Sequence, residues 1–274
     1  MNAKTSDTKK WDTKKWNTNI RENQMDDLSI VILAAGKGTR MKSDLPKVLH
    51  RVAGKSMVVH VLECARKLTP DNIHLVIGHQ AQLVKQEVCQ YFSVNFVIQT
   101  SLLGTGDAVK QALPGLPSKI KDVLVLCGDV PLIQEETLRA LFSTHRTTHA
   151  KLTVLAVDME NPAGYGRIIL DSSGEMISIR EESDATGKEK QITTINTGIY
   201  CFDKIFLEEA IGLIRPDNNQ AEFYLTDMVQ IARSKREKIS VRLMEDSRQV
   251  IGVNSPNELE RVEALIQQIE NELS

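Results

Sequence analysis

The chain has 274 residues, of which 41% are hydrophobic and 26% are charged, and its formal net charge is −2. This length can bury a substantial core, and the balanced charge excludes the strongly basic face that is typical of nucleic-acid binding. No apolar run approaches the roughly 20 residues of a membrane span, and the four cysteines lack metal-ligand spacing. We therefore predict a cytoplasmic protein without nucleic-acid or membrane partners.

The first 27 residues differ in composition from the rest of the chain. They contain a tandem pentapeptide, Asp7–Trp11 followed by Asp12–Trp16, and they lack the apolar segment of a secretory signal. Their low hydrophobicity and many charges predict a disordered tail over residues 1–27.

From Leu28 onward, apolar strands alternate with amphipathic helices. The predicted strands are Ser29–Leu33, Ile73–Ile77, Asn95–Ile98, Asp122–Cys127 and Leu152–Val157. The predicted helices are Met57–Leu68, Ala81–Tyr91, Thr105–Leu113 and Glu135–His145. This alternation predicts an α/β fold with a mostly parallel sheet that is covered by helices on both faces.

The last part of the chain has a different pattern, because short strands are separated by polar and glycine-containing turns. Arg167–Leu170, Met176–Arg180 and Gly198–Phe202 predict a small inserted antiparallel lobe. The elements predicted after it are helices over Asp203–Ile214 and Glu222–Ser234, a strand over Lys238–Leu243, and a closing helix over Asn257–Asn271 that begins near Ser255-Pro256.

A glycine-rich basic loop follows the first strand. It reads Leu33-Ala34-Ala35-Gly36-Lys37-Gly38-Thr39-Arg40-Met41, and Leu45-Pro46-Lys47 comes shortly after it. Glycines allow the backbone to approach a ligand closely, and successive exposed N–H groups bind phosphate oxygens. The spacing does not match a Walker A loop or a dinucleotide fingerprint. We therefore predict a polyphosphate site, to which Lys37, Arg40 and Lys47 contribute positive charge.

The loop resembles the signature of sugar-phosphate nucleotidyltransferases. More closely, the chain from about Leu28 to the last helix is similar to the uridylyltransferase domain of the bacterial bifunctional N-acetylglucosamine-1-phosphate uridylyltransferase/glucosamine-1-phosphate acetyltransferases. The further matching stretches are Gln99 with Leu103-Gly104-Thr105-Gly106, Gly128-Asp129-Val130-Pro131-Leu132, Gly164-Tyr165-Gly166-Arg167-Ile168, Ile195-Asn196-Thr197-Gly198 and Gly252-Val253-Asn254. The resemblance implies a Rossmann-like nucleotidyltransferase fold with a domain over residues 28–254 and a C-terminal helix over residues 255–274.

The resemblance also implies a reaction. Uridylyl would pass from UTP to N-acetylglucosamine-1-phosphate, giving UDP-N-acetylglucosamine and pyrophosphate for cell-wall and lipopolysaccharide precursors. Such chemistry needs alignment, charge neutralisation and Mg²⁺ rather than a covalent nucleophile. The implied catalytic residues are Arg40, Lys47 and Asp129, with Asp129 and Asn254 as metal ligands. From local sequence alone, Asp129 could instead form a turn and Asn254 could cap the last helix.

The expected substrate-binding residues follow from the same motifs. Gln99 would recognise uracil, because its amide offers both a donor and an acceptor. The nucleotide and phosphates would further contact Leu33, Ala34, Ala35, Gly36, Lys47, Gly104, Thr105, Gly128 and Asn254. The sugar would contact Gly166, Glu181 and Asn196, although Glu181 could also belong to a surface charge run and Asn196 to a turn.

Two positions depart from the family pattern. Cys127 stands where a tyrosine is frequent, and Asp107 replaces a more usual histidine. No stretch resembles the hexapeptide repeats of a left-handed β-helix, so we do not expect acetyl transfer. A nucleotidyltransferase for another sugar-1-phosphate, such as glucose-1-phosphate, and a non-catalytic sugar-nucleotide-binding domain remain alternatives. The sequence does not indicate an oligomeric state.

Overall fold

A computed structural model describes residues 25–273. The strands are β1 Leu28–Ala34, β2 Arg51–Val52, β3 Lys55–Ser56, β4 Ile73–Ile77, β5 Asn95–Ile98, β6 Asp122–Cys127, β7 Leu152–Asp158, β8 Gly166–Leu170, β9 Met176–Arg180, β10 Thr194–Asp203 and β11 Ile239–Met244. The helices are α1 Met57–Arg66, α2 Ala81–Val88, α3 Thr105–Ala112, α4 Glu135–Thr148, α5 Lys204–Ala210, α6 Met228–Ser234 and α7 Pro256–Leu273.

The central sheet has the strand order β11-β7-β10-β6-β1-β4-β5. Strand β10 is antiparallel to both of its neighbours, β6 and β7. The other neighbouring strands of this sheet are parallel. The mostly parallel sheet predicted from the alternating pattern is therefore confirmed.

Both faces of the sheet are buried, because successive side chains of a strand point to opposite faces. In β1, Ile30 and Ile32 pack in a cluster with residues of α1, α2 and α4, whereas Val31 packs in a second cluster with residues of α3, α5 and α6. All three side chains are completely buried. Each such side chain contributes about 1.5–3 kcal/mol to stability through removal from water.

The smaller antiparallel lobe consists of the β8–β9 hairpin, which attaches to the central sheet through β10. In this attachment Gly166 pairs with Asn196, near the beginning of β10. The prediction that Gly198–Phe202 belongs to the lobe is wrong, because Tyr200–Asp203 pair with β6 in the central sheet. A register shift between Asn196 and Tyr200 separates the two parts of β10.

Two further local differences affect the candidate site. Within the predicted helix over Glu222–Ser234, a 3-10 turn covers Leu225–Asp227 and the α-helix begins at Met228. The first residues are not helical, because the backbone of Phe223 instead bonds to Leu103 and Gly106 beside α3. The sequence analysis also missed the β2–β3 hairpin. Its turn residues Ala53 and Gly54 both have positive φ, and Ala-Gly is not a strong turn signal at such positions.

The tail predicted over residues 1–27 lies mostly outside the described residues, which begin at residue 25. Only its last three residues can be compared with the structure. Met25 is only 4% exposed and packs in the core cluster that contains Ile30. Asp27 forms ion pairs with Lys121 and Arg146. Residues 25–27 therefore pack as part of the domain. Among the described helices, none has the length and apolarity needed to cross a bilayer.

Candidate active site

A cleft of about 550 Å³ opens beyond the carboxyl ends of β1 and β6. The predicted site residues that line it are Leu33, Ala34, Ala35, Gly36, Lys37, Lys47, Gln99, Gly104, Thr105 and Asp129. Ligands of open α/β sheets bind at this edge of the sheet. The structure therefore brings the glycine-rich loop, the loop after β5 and the loop after β6 together, as the strand order requires.

Lys47 lies at the centre of a polar cluster on one wall of the cleft. Its Nζ donates to Oδ2 of Asp129 at 2.5 Å and to Oδ1 of Asn254 at 2.9 Å. The side chains of Lys47 and Asp129 are 18% and 16% exposed, so this ion pair is partly shielded from water. One positive charge thus joins two oxygen-bearing side chains that are far apart in sequence.

Backbone contacts fix the position of Asp129. The Gly128 N–H donates to the Leu33 carbonyl at 2.9 Å, which ties the end of β6 to the end of β1. The Asp129 carbonyl accepts a hydrogen bond from the Val253 N–H at 3.0 Å, which ties the same loop to the segment before α7. Asp129 and Asn254 are therefore held near each other by main-chain hydrogen bonds rather than by their side chains alone.

The start of α7 explains how Asn254 is free to face the cluster. The Ser255 hydroxyl accepts from the Glu258 N–H at 3.4 Å, which caps the first turn of α7, and donates to the Glu258 carboxylate at 2.9 Å. The same carboxylate accepts from the Asn254 N–H at 2.8 Å. Ser255 therefore supplies the side-chain cap that the sequence alone allowed for Asn254, and the Asn254 amide oxygen points to Lys47.

Cys127 lies at the end of β6, between the Lys47 cluster and Glu181. Burial raises the pKa of its thiol to about 12, and the nearby charges of Asp129 and Glu181 act in the same direction. Its Sγ lies 3.5 Å from the Gly198 carbonyl, to which it donates. The thiol is therefore protonated at neutral pH, and the site does not offer a thiolate nucleophile.

Gln99 also lines the cleft and is only 4% exposed. Its Nε2 donates to the Gly104 carbonyl at 3.1 Å and to Oδ2 of Asp107 at 2.7 Å. The Thr105 hydroxyl accepts from the Leu225 N–H at 3.0 Å. These contacts join the start of α3 to the strand end after β5 and to the segment that precedes α6.

Three predicted sugar-binding residues form a second group next to the cleft. A Cβ atom at Gly166 would lie 3.3 Å from the Glu181 carboxylate. Asn196 is 7% exposed; its Nδ2 donates to the Tyr200 hydroxyl at 2.7 Å and its Oδ1 accepts from the Gly198 N–H at 3.2 Å. The pKa of Glu181 is raised, mainly by burial and further by the nearby Asp184 and Asp227.

Glu181 lines a separate cavity of about 300 Å³, whose lining also includes Arg180, Asp184, Tyr224 and Asp227. Neither Glu181 nor Gly166 nor Asn196 lines the larger cleft. Cys127 lines the larger cleft, and the charge of Glu181 contributes to the raised pKa of its thiol. The cavity beside Glu181 and the cleft are therefore electrostatically connected.

Arg40 lies apart from the polar cluster. It is exposed in the short turn Thr39–Met41, and it forms no ion pair within residues 25–273. Arg40 is not among the residues that line the cleft.

Glu222 lines the cleft, although the sequence analysis did not select it. Burial raises the pKa of its carboxyl group. Its position results from the pairing of Phe223 with Leu103, whose N–H to carbonyl distance is 2.7 Å. No local sequence signal marks a contact between segments that are about 120 residues apart, so this residue was not predictable from its neighbours.

Comparison with known proteins gives a consistent assignment. The family model described as the MobA-like NTP transferase domain matches residues 30–191. The protein named "Bifunctional protein GlmU" from Geobacter metallireducens is 46% identical over 235 residues, which are 86% of this chain and 49% of that protein. The one from Syntrophomonas wolfei is 42% identical over 244 residues, which are 89% of this chain and 54% of that protein. The chain thus spans about half the length of these curated relatives.

Solved structures support the fold. HddC from Yersinia pseudotuberculosis, in complex with GMP-PN, has a TM-score of 0.64 at 21% identity and covers 87% of this chain and 99% of its own. A putative glucose-1-phosphate thymidylyltransferase from Bacillus anthracis has a TM-score of 0.67 at 20% identity and covers 87% of this chain and 94% of its own. By its sequence and its fold, the chain belongs to the MobA-like NTP transferase domain family.

Proposed function

We propose that this protein transfers uridylyl from UTP to N-acetylglucosamine-1-phosphate, with Mg²⁺, and releases UDP-N-acetylglucosamine and pyrophosphate. The observation that carries this proposal is the convergence of Lys47, Asp129 and Asn254 beside the glycine-rich loop. Such a cluster provides positive charge for phosphates and oxygen ligands for a metal in the same cleft.

The residues fit Mg²⁺ by the chemistry of their donor atoms. The carboxylate of Asp129 and the amide oxygen of Asn254 already converge on a single cation, the Lys47 ammonium. Within residues 25–273 there is no group of three or more His, Cys, Asp or Glu side chains suited to a metal. Mg²⁺ commonly takes only one or two protein ligands and completes its shell with phosphate oxygens and water. Asp129 and Asn254 would hold it, and it would neutralise charge on the triphosphate.

In the proposed reaction, an oxygen of the sugar-1-phosphate forms a bond to the α-phosphorus of UTP. The bond from this phosphorus to the bridging oxygen breaks, and pyrophosphate leaves with the electron pair. The N–H groups of the loop that contains Gly36 would hold phosphate oxygens. Lys47 would contact a phosphate group, and Arg40 would neutralise the departing pyrophosphate. No proton needs to be removed from the attacking oxygen when it is already ionised.

Substrate selection would come from two groups of residues, one that lines the cleft and one that lies outside its lining. We assign Gln99, Gly104 and Thr105 to the uracil base, and Gly166, Glu181 and Asn196 to the sugar. The half-buried carboxylate of Glu181 can accept hydrogen bonds from sugar hydroxyls. The motif resemblance supports this division, and the identity of 42–46% to proteins named "Bifunctional protein GlmU" extends across both groups.

A panel of nucleoside triphosphates and sugar-1-phosphates tests the proposal. Pyrophosphate release, with the sugar nucleotide identified by mass spectrometry, should be fastest with UTP and N-acetylglucosamine-1-phosphate. Contact with one apolar substituent gives only about 10- to 200-fold selectivity, so slow use of glucose-1-phosphate is expected. A preference for glucose-1-phosphate would reassign the sugar. Binding of a sugar nucleotide without pyrophosphate release from any pair would support a non-catalytic domain.

A further inference from the structure

The amide group of Gln99 is held in one orientation by its partners. The two hydrogens of an amide Nε2 meet two acceptors here, the Gly104 carbonyl at 3.1 Å and Oδ2 of Asp107 at 2.7 Å. Neither a backbone carbonyl nor an ionised carboxylate can donate a hydrogen bond. Turning the amide over would place its oxygen against both acceptors, so the chemistry of the partners fixes which end of the amide faces inward.

Asp107 is itself held in place. It lies half-buried in the first turn of α3, and its Oδ1 accepts from Nε2 of Gln111 at 3.1 Å, one turn further along the helix. An acidic side chain in the first turn also interacts favourably with the helix dipole. The carboxylate therefore connects Gln99 to a regular helix rather than to a loose loop, which gives the amide a defined position.

Only the amide oxygen of Gln99 remains available to a ligand. In the described part of the chain Oε1 accepts no hydrogen bond, and it is not among the polar atoms sealed in the interior. Gln99 lines the 550 Å³ cleft. The side chain thus offers the cleft an acceptor and no donor, so the expectation from the sequence that it offers both is wrong.

We infer that Asp107 is a positioning residue that makes Gln99 read the nucleobase as an acceptor only. This inference rests on the proposed function, in which Gln99 contacts the base. Uracil carries an N–H donor at N3, which can donate to Oε1 of Gln99. Cytosine has a lone pair at N3, which repels this oxygen. Asp107 therefore contributes to the choice of UTP over CTP without contacting the nucleotide.

Competition between UTP and CTP in one reaction tests the inference. The ratio of the two sugar nucleotides formed does not depend on the fraction of folded enzyme, so the measurement remains valid for a poorly folding variant. Without the carboxylate, the amide can turn and offer its Nε2, although Gly104 still opposes this. For Asp107→Ala we expect the preference for UTP to fall about 5- to 10-fold, which corresponds to the net free energy of one hydrogen bond.

Two matched variants separate positioning from other effects. Asp107→Asn keeps an acceptor oxygen toward Gln99 and should keep the preference. Gln111→Ala removes only the second partner of Asp107 and should lower the preference by less than Asp107→Ala does. An unchanged ratio in Asp107→Ala, or an equal fall in Asp107→Asn or Gln111→Ala, overturns the inference while UTP turnover still supports the proposed function. If the unaltered protein does not turn over UTP at all, the proposed function fails, and this inference fails with it.

Discussion

A Cβ atom at position 38 would lie 2.5 Å from the Cβ atom of Lys47, and Gly38 has φ of +64°. The left-handed conformation favours glycine, and the contact would be far shorter than van der Waals distance. The glycine-rich loop and the turn that carries Lys47 are therefore packed directly against each other. Gly38 allows Lys47 to reach Asp129 and Asn254.

We expect Gly38→Ala to displace Lys47 and to lower the melting temperature. The left-handed backbone alone costs an alanine about 1–2 kcal/mol, and misplacement of a charged group by about 1 Å can reduce kcat/KM by about 10²-fold. Gly36→Ala is the matched control for stability, because a Cβ atom there would meet no atom within 4 Å. Unchanged melting temperature and kcat/KM in Gly38→Ala would show that the loop adapts and that Lys47 does not depend on it.

Asp129→Asn tests the proposed metal ligand. The substitution keeps the shape of the side chain but removes its charge, so we expect kcat to fall by about 10²-fold or more and the half-saturating Mg²⁺ concentration to rise. Circular dichroism would verify that the variant is folded. Excess chelator should stop pyrophosphate release by the unaltered protein, and full activity in chelator would exclude the role proposed for Asp129 and Asn254.

Arg40→Ala should reduce turnover more than sugar binding. The charge on pyrophosphate grows as the bond to the α-phosphorus breaks, and a group that acts on developing charge affects kcat. We expect kcat to fall about 10- to 100-fold, with the KM for the sugar-1-phosphate changed less than about twofold. Lys42→Asn removes a charge two residues away and should have little effect. A rise in the sugar KM at unchanged kcat would reassign Arg40 to sugar binding.

Local signals predicted much of the fold. The bounds of Ile73–Ile77, Asn95–Ile98 and Asp122–Cys127 were predicted without error, because each is a short apolar or β-branched run bordered by polar or turn residues. Parallel strands place their carboxyl ends at one edge of a sheet, so the sequence also predicts that the loops after Leu33 and Cys127 lie together. The structure confirms this. These predictions depend on neighbouring residues and on strand order alone.

Long-range backbone contacts determine the parts of the fold and of the site that the sequence did not predict. Residues 222–224 are not helical, because Phe223 pairs with Leu103, and this pairing also brings Glu222 into the cleft. Such contacts are set by the packing of distant segments, so periodicity and motif spacing do not reveal them.

Met25→Ala should destabilise the protein, although Met25 lies in the segment whose composition predicts a disordered tail. Its side chain is 4% exposed and packs in the core. Truncation of a buried methionine costs about 2–5 kcal/mol, and we expect a value near the lower end for a position close to the first strand. Asp26→Ala, at an exposed neighbour, should change stability by less than about 0.5 kcal/mol. Equal denaturation midpoints for the two variants would place Met25 outside the core.

Glu181→Gln should increase stability at neutral pH while it weakens sugar binding. Burial raises the pKa of Glu181 above its ordinary value of 4.5. The folded protein then binds this proton more tightly than the unfolded chain does, so stability contributed by the protonated form is present below about pH 4.5 and is lost as pH rises through the raised pKa. Glutamine is neutral at every pH, so the variant does not lose stability as pH rises. The variant should therefore match the unaltered protein in melting temperature at about pH 4 and exceed it at about pH 7, with a higher KM for the sugar-1-phosphate.

A difference in melting temperature that does not change with pH would mean that the surroundings of Glu181 do not disfavour its charged form. An unchanged sugar KM would remove Glu181 from the proposed sugar site, even if the pH dependence followed the expected sign.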